Sequence, residues 1–500
     1  MLLIVTFRPE FQPVWTGQPQ VTILTLNRLD RRDRSALVAQ IAAVLEAHSP
    51  DLMDSQPELF ARHYAEAGLV KKSVRFWGKA GRRSAARSAM AEAAAHFQKG
   101  LDQLVLLPDT PERQRLELEY CSALGAVLQT VKGNAARETW QVFARARELW
   151  EQLGSPSEFL QVPHAQSRYH AQRGELDVAL RLDEDLLRLS RQRNDSGGLV
   201  LGHLSSGANL RIAGKFALAR PHLEEVLALY DPILHRSLVN QAGIHPHLNS
   251  QANLGNVLFC LGFPDQALAY GDAAIAEARS LAHPPSLAVS LSYGTRLLSL
   301  VGDNAILGAW ADQMVVMTTD QGFPQWRAQA EIYRGWVKVK SGDVTDGLAL
   351  LQRSAIAYRA TGTESLMPHY LALLASTHEI AGQIDEALTL LESALQVVER
   401  TGERWFAAEL SRHRGQLLLR QGYTETAEEL YRKALSIARE QEAKLWELRA
   451  AVSLARLRLD QGRRGDARAI LVPVYGWFTE GFGTPDLKDA KALLDELGGN

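Results

Sequence analysis

The chain has only two cysteines, Cys121 and Cys260, among its 500 residues. Two thiols are too few for a disulfide framework or for a four-cysteine zinc site. A dominant charge sign is also lacking, because 55 basic residues are balanced by 57 acidic ones. No global field therefore draws the chain to nucleic acid or to an anionic membrane, and we expect neither as a partner.

Long apolar runs are missing as well. No stretch holds the roughly 18 consecutive apolar residues that a membrane-spanning helix needs. The apolar start from Leu2 to Phe7 has no basic leader and stops at Arg8, unlike a secretory signal peptide. We therefore expect a cytoplasmic protein.

A regular repeat is present instead. A glycine recurs along the chain, in most cases with a small residue five positions later, and every step between these glycines is 40 residues except one of 48. We name them the turn glycines: Gly174, Gly214, Gly262, Gly302, Gly342, Gly382, Gly422 and Gly462. Such a register over nearly three hundred residues is typical of stacked supersecondary units.

Each turn glycine lies between two stretches with helical periodicity. After Gly422, for example, apolar residues recur every three or four positions from Ala427 to Ala438. Glycine tolerates the positive φ at which a helix ends, and a small residue five positions later allows the second helix to pack closely. The sequence therefore predicts an all-α fold built from units of helix, tight turn and helix.

The residues of one unit are similar to the tetratricopeptide repeat. A small residue, a glycine, an alanine, an aromatic residue and a second alanine follow in order as Gly415, Gly422, Ala427, Tyr431 and Ala434. The resemblance implies a right-handed superhelical solenoid whose concave groove binds a protein or peptide. Two departures are the 40-residue spacing and the replacement of the first alanine by Leu307 or Gly347 in two units.

The first 35 residues do not share the repeat. Two β-favouring runs, Leu2 to Phe7 and Val21 to Leu26, resemble the closing strands of the P-loop ATPase module in bacterial signalling proteins. Those proteins join a cyclase or transcriptional output domain to the ATPase and a tetratricopeptide tail. We expect residues 1–35 to be a remnant of that module, 36–155 to be N-terminal helical repeats, 156–483 to be the regular solenoid and 484–500 to be a capping helix.

The residues that an ATPase or cyclase needs are missing. The chain contains no G-x-x-x-x-G-K-[ST] motif, since Gly78-Lys79 is followed by alanine and Gly214-Lys215 by phenylalanine. We therefore expect no catalytic residue and no cofactor, and we interpret the chain as a non-catalytic interaction scaffold or as the sensor tail of a signalling protein. The alternative is a regulatory part that acts with a separate cyclase or P-loop ATPase as its partner.

Candidate binding residues lie on the outward face of each unit's first helix, which lines the groove in solenoids of this kind. Their side chains could clamp a partner's backbone or serve as aromatic and arginine contacts. The alternative is that they are ordinary solvated groups or aromatic residues packed between units. Counting from the turn glycines gives Asn249, Asn253, Asn256, Tyr293, Arg296, Tyr333, Trp336, Arg412, His413 and Gln416.

Three further clusters suggest structure more than function. A basic run could contact nucleic acid or an acidic partner, but a solvated helix face is the favoured interpretation; it comprises Lys71, Lys72, Arg75, Lys79, Arg82 and Arg83. His235, His245 and His247 lie near the eight-residue insertion without a cysteine beside them, so we expect no metal site. The acidic triplet from Asp183 to Asp185 is expected on an exposed helix face.

Overall fold

The computed structural model describes residues 31–48 and 50–498, and the regular elements in this part of the chain are helices. A short 3₁₀ turn, Ser157–Phe159, precedes α8. The α-helices are α1 (Arg31–His48), α2 (Pro50–Ser55), α3 (Pro57–Glu66), α4 (Val70–Ala86), α5 (Met90–Leu104), α6 (Pro111–Val131), α7 (Arg137–Gln152), α8 (Gln161–Gln172), α9 (Leu176–Arg193), α10 (Ser196–Ile212), α11 (Phe216–Leu229), α12 (Arg236–Ala242), α13 (Pro246–Leu261), α14 (Pro264–Ser280), α15 (Pro284–Val301), α16 (Asn304–Gln321), α17 (Pro324–Lys340), α18 (Val344–Ala360), α19 (Met367–Ile380), α20 (Ile384–Thr401), α21 (Ala407–Arg420), α22 (Thr424–Glu440), α23 (Lys444–Asp460), α24 (Arg464–Tyr475) and α25 (Pro485–Gly498).

The described residues form two compact units, one up to Trp77 and one from Gly78. In the first unit, the ring of Phe76 stacks on Phe60 and Tyr64 at centroid distances of 5.2 and 5.6 Å. The Tyr64 hydroxyl donates to the carboxylate of Glu46, which also pairs with Lys72 at 3.0 Å. The two predicted β-favouring runs, Leu2 to Phe7 and Val21 to Leu26, lie outside the described residues.

The regular part of the second unit is a series of helix pairs. We name the first helix of each pair an A helix (α8, α10, α13, α15, α17, α19, α21, α23) and the second a B helix (α9, α11, α14, α16, α18, α20, α22, α24). All eight turn glycines lie between an A helix and its B helix, with φ between 74° and 97°. These are left-handed values that favour glycine. The predicted all-α repeat of helix, tight turn and helix is confirmed.

Close approach within a pair depends on a second set of glycines. A Cβ added at Gly255 in α13 would lie 2.9 Å from the carbonyl oxygen of Ala267 in α14. In the pair α17 and α18, a Cβ at Gly347 would lie 2.8 Å from the carbonyl oxygen of Gly335. Such distances are too short for a carbon, so these glycines set how closely the two helices can pack. Gly347, which departs from the expected alanine, marks one of these close contacts.

The pairs wind so that distant parts of the second unit touch. The carbonyl oxygen of Gln172, at the end of α8, accepts hydrogen bonds from the amides of Glu364 and Ser365 at 2.8 and 3.1 Å. One repeat later, the carbonyl of Ile212 accepts from Arg404 and Trp405 at 3.0 and 3.2 Å. From the first of these contacts to the second, the acceptor residue and the donor residues both move 40 positions along the chain. Successive turns of the superhelix therefore pack against each other in register.

The single 48-residue step is explained by an added helix. Helix α12 is inserted between α11 and α13, and it packs on α6 and α8. The neighbouring ring of Tyr230 lies among three histidines, with centroid distances of 5.8 Å to His235, 5.0 Å to His245 and 5.7 Å to His247. The inserted segment is therefore held by helix packing and by contacts between aromatic rings.

At the C-terminal end, α25 packs on α23 and α24. Its buried side chains recur at helical spacing and are Leu487, Ala490, Leu493 and Leu497. They face the pair α23 and α24 and cover apolar surface of that pair. None of the described helices is both long enough and apolar enough to cross a membrane.

Candidate functional site

Two spaces lie along the A helices of the second unit. The first, which we name the polar cavity, has a volume of about 90 Å³, and the second, the C-terminal groove, has about 550 Å³. Polar and charged residues of the polar cavity are Asn134, His164, Arg168, Gln172, Ser205, Asn209, Arg211, Asn249, Ser292, Tyr293, Arg296, Gln325, Gln329, Tyr358 and Ser365. Those of the C-terminal groove are Arg412, Gln416, Tyr431, Arg449, Ser453, Arg456, Asp460, Asp486 and Asp489.

Five of the ten predicted groove residues line one of these spaces. Asn249, Tyr293 and Arg296 line the polar cavity, and Arg412 and Gln416 line the C-terminal groove. The structure therefore divides them between two separate places along the A helices. Their role in binding stays a prediction.

The other five predicted residues line neither space and contact other residues of the second unit. Asn253 accepts a hydrogen bond from Arg211 Nε at 3.1 Å, and Asn256 donates to the carbonyl oxygen of Tyr293 at 3.2 Å. Both asparagines are almost fully buried, as is Tyr333. The remaining two also have partners: the Lys340 ammonium lies 5.3 Å from the ring centre of Trp336, and His413 Nε2 lies 2.7 Å from a carboxylate oxygen of Glu379.

The polar cavity concentrates positive charge around one aromatic ring. The guanidinium carbon of Arg296 lies 4.8 Å from the ring centre of Tyr293, and that of Arg211 lies 5.4 Å from it. Arg168 lines the same cavity and donates to the carbonyl oxygen of Ala242 at 3.3 Å. Within the described residues, none of the three guanidinium groups forms an ion pair.

The guanidinium groups keep unused donors although they are buried. Arg211 is 3% exposed and Arg296 is 2% exposed. Nη1 of Arg211, and both Nε and Nη1 of Arg296, have no hydrogen-bond partner among the described residues. A buried polar group without a partner is costly, and a buried charge is more costly still. This arrangement therefore leaves donors available to a ligand.

Burial and positive charge shift the pKa values of residues that line the polar cavity. Burial, with a contribution from Arg168, lowers the pKa of His164 to about 3, so this imidazole is neutral near pH 7. Burial also lowers the pKa of Arg168 to about 10, which leaves it charged. Burial alone would raise the pKa of the Tyr293 phenol, but Arg211 and Arg296 outweigh that effect and lower it below the usual value.

Two buried carboxyl groups lie near the cavity without neutralising it. Glu403 accepts from the amide of Leu366 at 2.9 Å and from Trp405 Nε1 at 2.8 Å, and burial raises its pKa to about 7. Asp183 accepts from the Ser167 hydroxyl at 2.5 Å and from Asn209 at 2.7 Å, and burial raises its pKa to about 7 as well. Each carboxyl is therefore only partly ionised at neutral pH.

The C-terminal groove carries charges of both signs that are paired. Arg449 on α23 pairs with Glu409 at 3.1 Å and with Asp486 at 2.8 Å, and it donates to the carbonyl oxygen of Leu300 at 2.6 Å. Arg412 also pairs with Glu409 at 2.8 Å. Burial alone would raise the pKa of Glu409, but the two guanidinium groups hold it at about 2.

Several residues in or near these two spaces are not among those predicted from the sequence. Asp183 was expected on an exposed face, but it is buried because it faces Ser167 and Asn209 on the neighbouring A helices; Glu184 and Asp185 are exposed. Arg168 and Arg456 lie six residues before Gly174 and Gly462, the offset that Arg296 has from Gly302. Applying that offset to every repeat would have found both arginines.

The predicted basic run lies on α4 and is partly paired. Lys72 pairs with Glu46 at 3.0 Å and Arg82 pairs with Glu119 at 3.0 Å. Lys71 and Arg75 are exposed, whereas Lys79 and Arg83 are half-buried. In the described part of the chain, no group of three or more His, Cys, Asp or Glu side chains is arranged to hold a metal ion. Cys121 and Cys260 are free and buried.

Comparisons with known proteins agree with this architecture. The sequence pattern of the tetratricopeptide repeat matches residues 413–441. An uncharacterized protein of Rhizobium meliloti is 25% identical over 408 residues, which cover 81% of this chain and 39% of that protein. The chain therefore spans about two fifths of the length of this relative.

Solved structures are similar in fold. A Rap protein complexed with competence and sporulation factor has a TM-score of 0.50 and 12% identity, over 75% of this chain and 99% of that one. The Cut9-Hcn1 hetero-tetramer of the APC/C has a TM-score of 0.43 and 14% identity, over 94% and 96% of the two chains. The match at residues 413–441 and the likeness to the Rap protein both agree with a tetratricopeptide-like solenoid of helix pairs.

Proposed function

We propose that the chain is a non-catalytic binding protein whose A helices hold a peptide or an extended segment of a partner protein. The observation that carries the proposal is the C-terminal groove, because α21, α23 and α25 together supply charged and polar side chains to a space of about 550 Å³. A groove shared by successive helices presents side chains at repeated intervals to an extended ligand. The fold-level similarity to a Rap protein solved with a bound factor supports this function.

A signalling role is the narrower part of the proposal. The resemblance of residues 1–35 to the end of a P-loop ATPase module, and the much greater length of the Rhizobium meliloti relative, favour a regulatory tail that acts with a separate ATPase or cyclase in the cytoplasm. Chemical cross-linking in cells of the native host tests this role. We expect a cross-linked partner that carries a P-loop, and a set of partners without any nucleotide-binding protein would contradict it.

The binding function is tested with a phage-displayed library of random peptides of about twelve residues, selected on the full chain. We expect enriched peptides whose affinity falls about tenfold in Gln416→Ala and Arg456→Ala, because each variant removes a side chain of the groove. Arg456 is exposed and pairs only with exposed Asp489, so its removal leaves the fold intact.

The matched control is Arg181→Ala on α9, which removes an exposed arginine outside both spaces. Affinity should be unchanged in this control. The proposal is wrong if no peptide is enriched, or if enriched peptides bind the two groove variants as tightly as the unmodified chain.

A further inference from the structure

The polar cavity contains hydrogen-bond donors of the kind that bind an anion. Arg211 and Arg296 contact the same tyrosine ring, are almost fully buried and form no ion pair among the described residues. Like charges at such close quarters repel each other: burial lowers the pKa of Arg211, and the nearby Arg296 acts in the same direction, whereas Tyr293 acts in the opposite one. Two guanidinium groups in this state gain more from an anionic ligand than exposed arginines do.

The carboxyl groups of the chain do not fill this role. Both oxygens of Glu403 accept from the Leu366 amide, and one also accepts from Trp405. Asp183 is held by Ser167 and Asn209. Each already has its own donors, and neither lies within ion-pair distance of Arg211 or Arg296 among the described contacts. The contrast with Glu409, which pairs with two arginines, shows what a satisfied site in the same fold looks like.

The size of the cavity limits what can bind. Its volume of about 90 Å³ is small beside the volume of about 550 Å³ of the C-terminal groove. That space suits one carboxylate or phosphate group and excludes a stretch of peptide backbone with its side chains. The flat, forked guanidinium group is also the side chain best matched to the two oxygens of such a group.

We propose that the polar cavity binds one anionic oxygen group, a carboxylate or a phosphate, between Arg211 and Arg296. The group comes either from a free small anion or from a bound peptide, and only the second source rests on the function proposed above. Both arginines have donors without a partner among the described residues, Nη1 of Arg211 and Nε and Nη1 of Arg296, and these can bind the oxygens of the ligand. Arg168 adds positive charge at the edge of the same space.

The free-anion arm measures thermal unfolding of the full chain in phosphate, acetate or chloride at equal ionic strength. We expect phosphate or acetate to raise the Tm by at least about 2 °C relative to chloride, because a ligand that binds only the folded state stabilises it. Arg296→Gln should abolish this rise. Its own Tm in chloride should be no lower than that of the unmodified chain, because the guanidinium group has no carboxylate partner to lose.

Two further variants keep the test decisive. If Arg296→Gln does not fold, Arg168→Gln at the edge of the cavity should reduce the rise in Tm instead. Arg181→Gln, on the exposed face of α9, should leave the rise unchanged. A rise that persists in both cavity variants would overturn the site.

The peptide arm uses peptides selected from the displayed library. Each acidic residue is replaced by its amide and the C-terminus is amidated, one change at a time. If the group belongs to the peptide, one of these changes should weaken binding about tenfold or more in the unmodified chain, but not in Arg296→Gln. Free phosphate should compete with the unmodified peptide for the same site.

The two proposals can fail separately. Peptides that bind the groove, with no response to either anion and no effect of amidation, would overturn the anion site alone. A response to phosphate or acetate without any enriched peptide would contradict the binding function above and support a free-anion site.

Discussion

Glu403 and Glu409 are buried glutamates six residues apart, yet the structure gives them opposite ionisation. Glu403 has only neutral donors within hydrogen-bond distance, and burial raises its pKa to about 7. Burial alone would raise the pKa of Glu409 too, but Arg412 and Arg449 hold it at about 2. Burial alone therefore does not decide the charge of a carboxyl here; the presence of an ion-pair partner does.

The raised pKa of Glu403 makes the stability of the fold depend on pH. A carboxyl with a raised pKa in the folded state stabilises the fold while protonated, and this stabilisation is lost as the pH rises from the unfolded value toward about 7. We expect Glu403→Gln to gain stability relative to the unmodified chain by about 3 kcal/mol between pH 4.5 and 8, measured by urea unfolding. The glutamine stays neutral over that range.

Glu409→Gln is the matched control for that measurement. In the unmodified chain, the pKa of Glu409 in the folded state is about 2, below its unfolded value. The stabilisation from this carboxylate is therefore complete above about pH 5.5 and is lost only as the pH falls toward 2. The variant should be less stable by a constant amount between pH 6 and 8. A difference in stability between Glu403→Gln and the unmodified chain that stays constant from pH 4.5 to 8 would contradict the raised pKa of Glu403.

At the scale of the helix pair, glycine sets both the turn and the distance between helices. The turn glycines could be predicted because a fixed spacing and a left-handed φ leave a strong pattern in the sequence. The need for glycine at position 347 in α18 could not be predicted, since the sequence shows Gly347 only as a departure from the expected alanine. The structure gives the reason: a Cβ on residue 347 would lie only 2.8 Å from the carbonyl oxygen of Gly335 and 2.9 Å from the amide nitrogen of Val339.

Restoring the expected alanine should therefore harm the fold. We expect Gly347→Ala to destabilise the chain by about 2 kcal/mol, because the added carbon forces α17 and α18 apart and this outweighs the gain in helix propensity. Gly465→Ala in α24 is the control, since nothing lies within 4 Å of the added carbon. The control should be neutral or up to about 1 kcal/mol more stable. The measurement is thermal unfolding of the two variants. Equal changes in stability for Gly347→Ala and Gly465→Ala would contradict the close contact at Gly347.

At the scale of the second unit, the winding of the repeats decides which side chains meet. The 40-residue pattern predicts each pair but does not state how many pairs complete a superhelical turn. Contacts such as Asn134 with Gln325, 191 residues apart, were therefore not predictable. For the same reason, Asn253 and Tyr333 were predicted on an open groove, whereas the structure buries them beside neighbouring helices.

Arg449 joins distant parts of the second unit and provides a test of the winding. It links α23 to Asp486 and Glu409 and reaches the carbonyl oxygen of Leu300 across 149 residues. We expect Arg449→Met to cost about 3 kcal/mol in urea unfolding, because it leaves Asp486 without its partner and removes one of the two arginines that pair with buried Glu409. Arg456→Met on the same helix loses only an exposed pair and should cost less than about 1 kcal/mol. Similar losses for the two variants would contradict the winding.

We propose that the A helices of the second unit, together with α25, form its binding surface. Hydrogen–deuterium exchange of the full chain, with and without a peptide selected from the displayed library, measures this directly. We expect the peptide to slow exchange in α21, α23 and α25, which supply the C-terminal groove, and to leave exchange in the B helices α9 and α11 unchanged. Protection confined to B helices, or to the first unit, would contradict it.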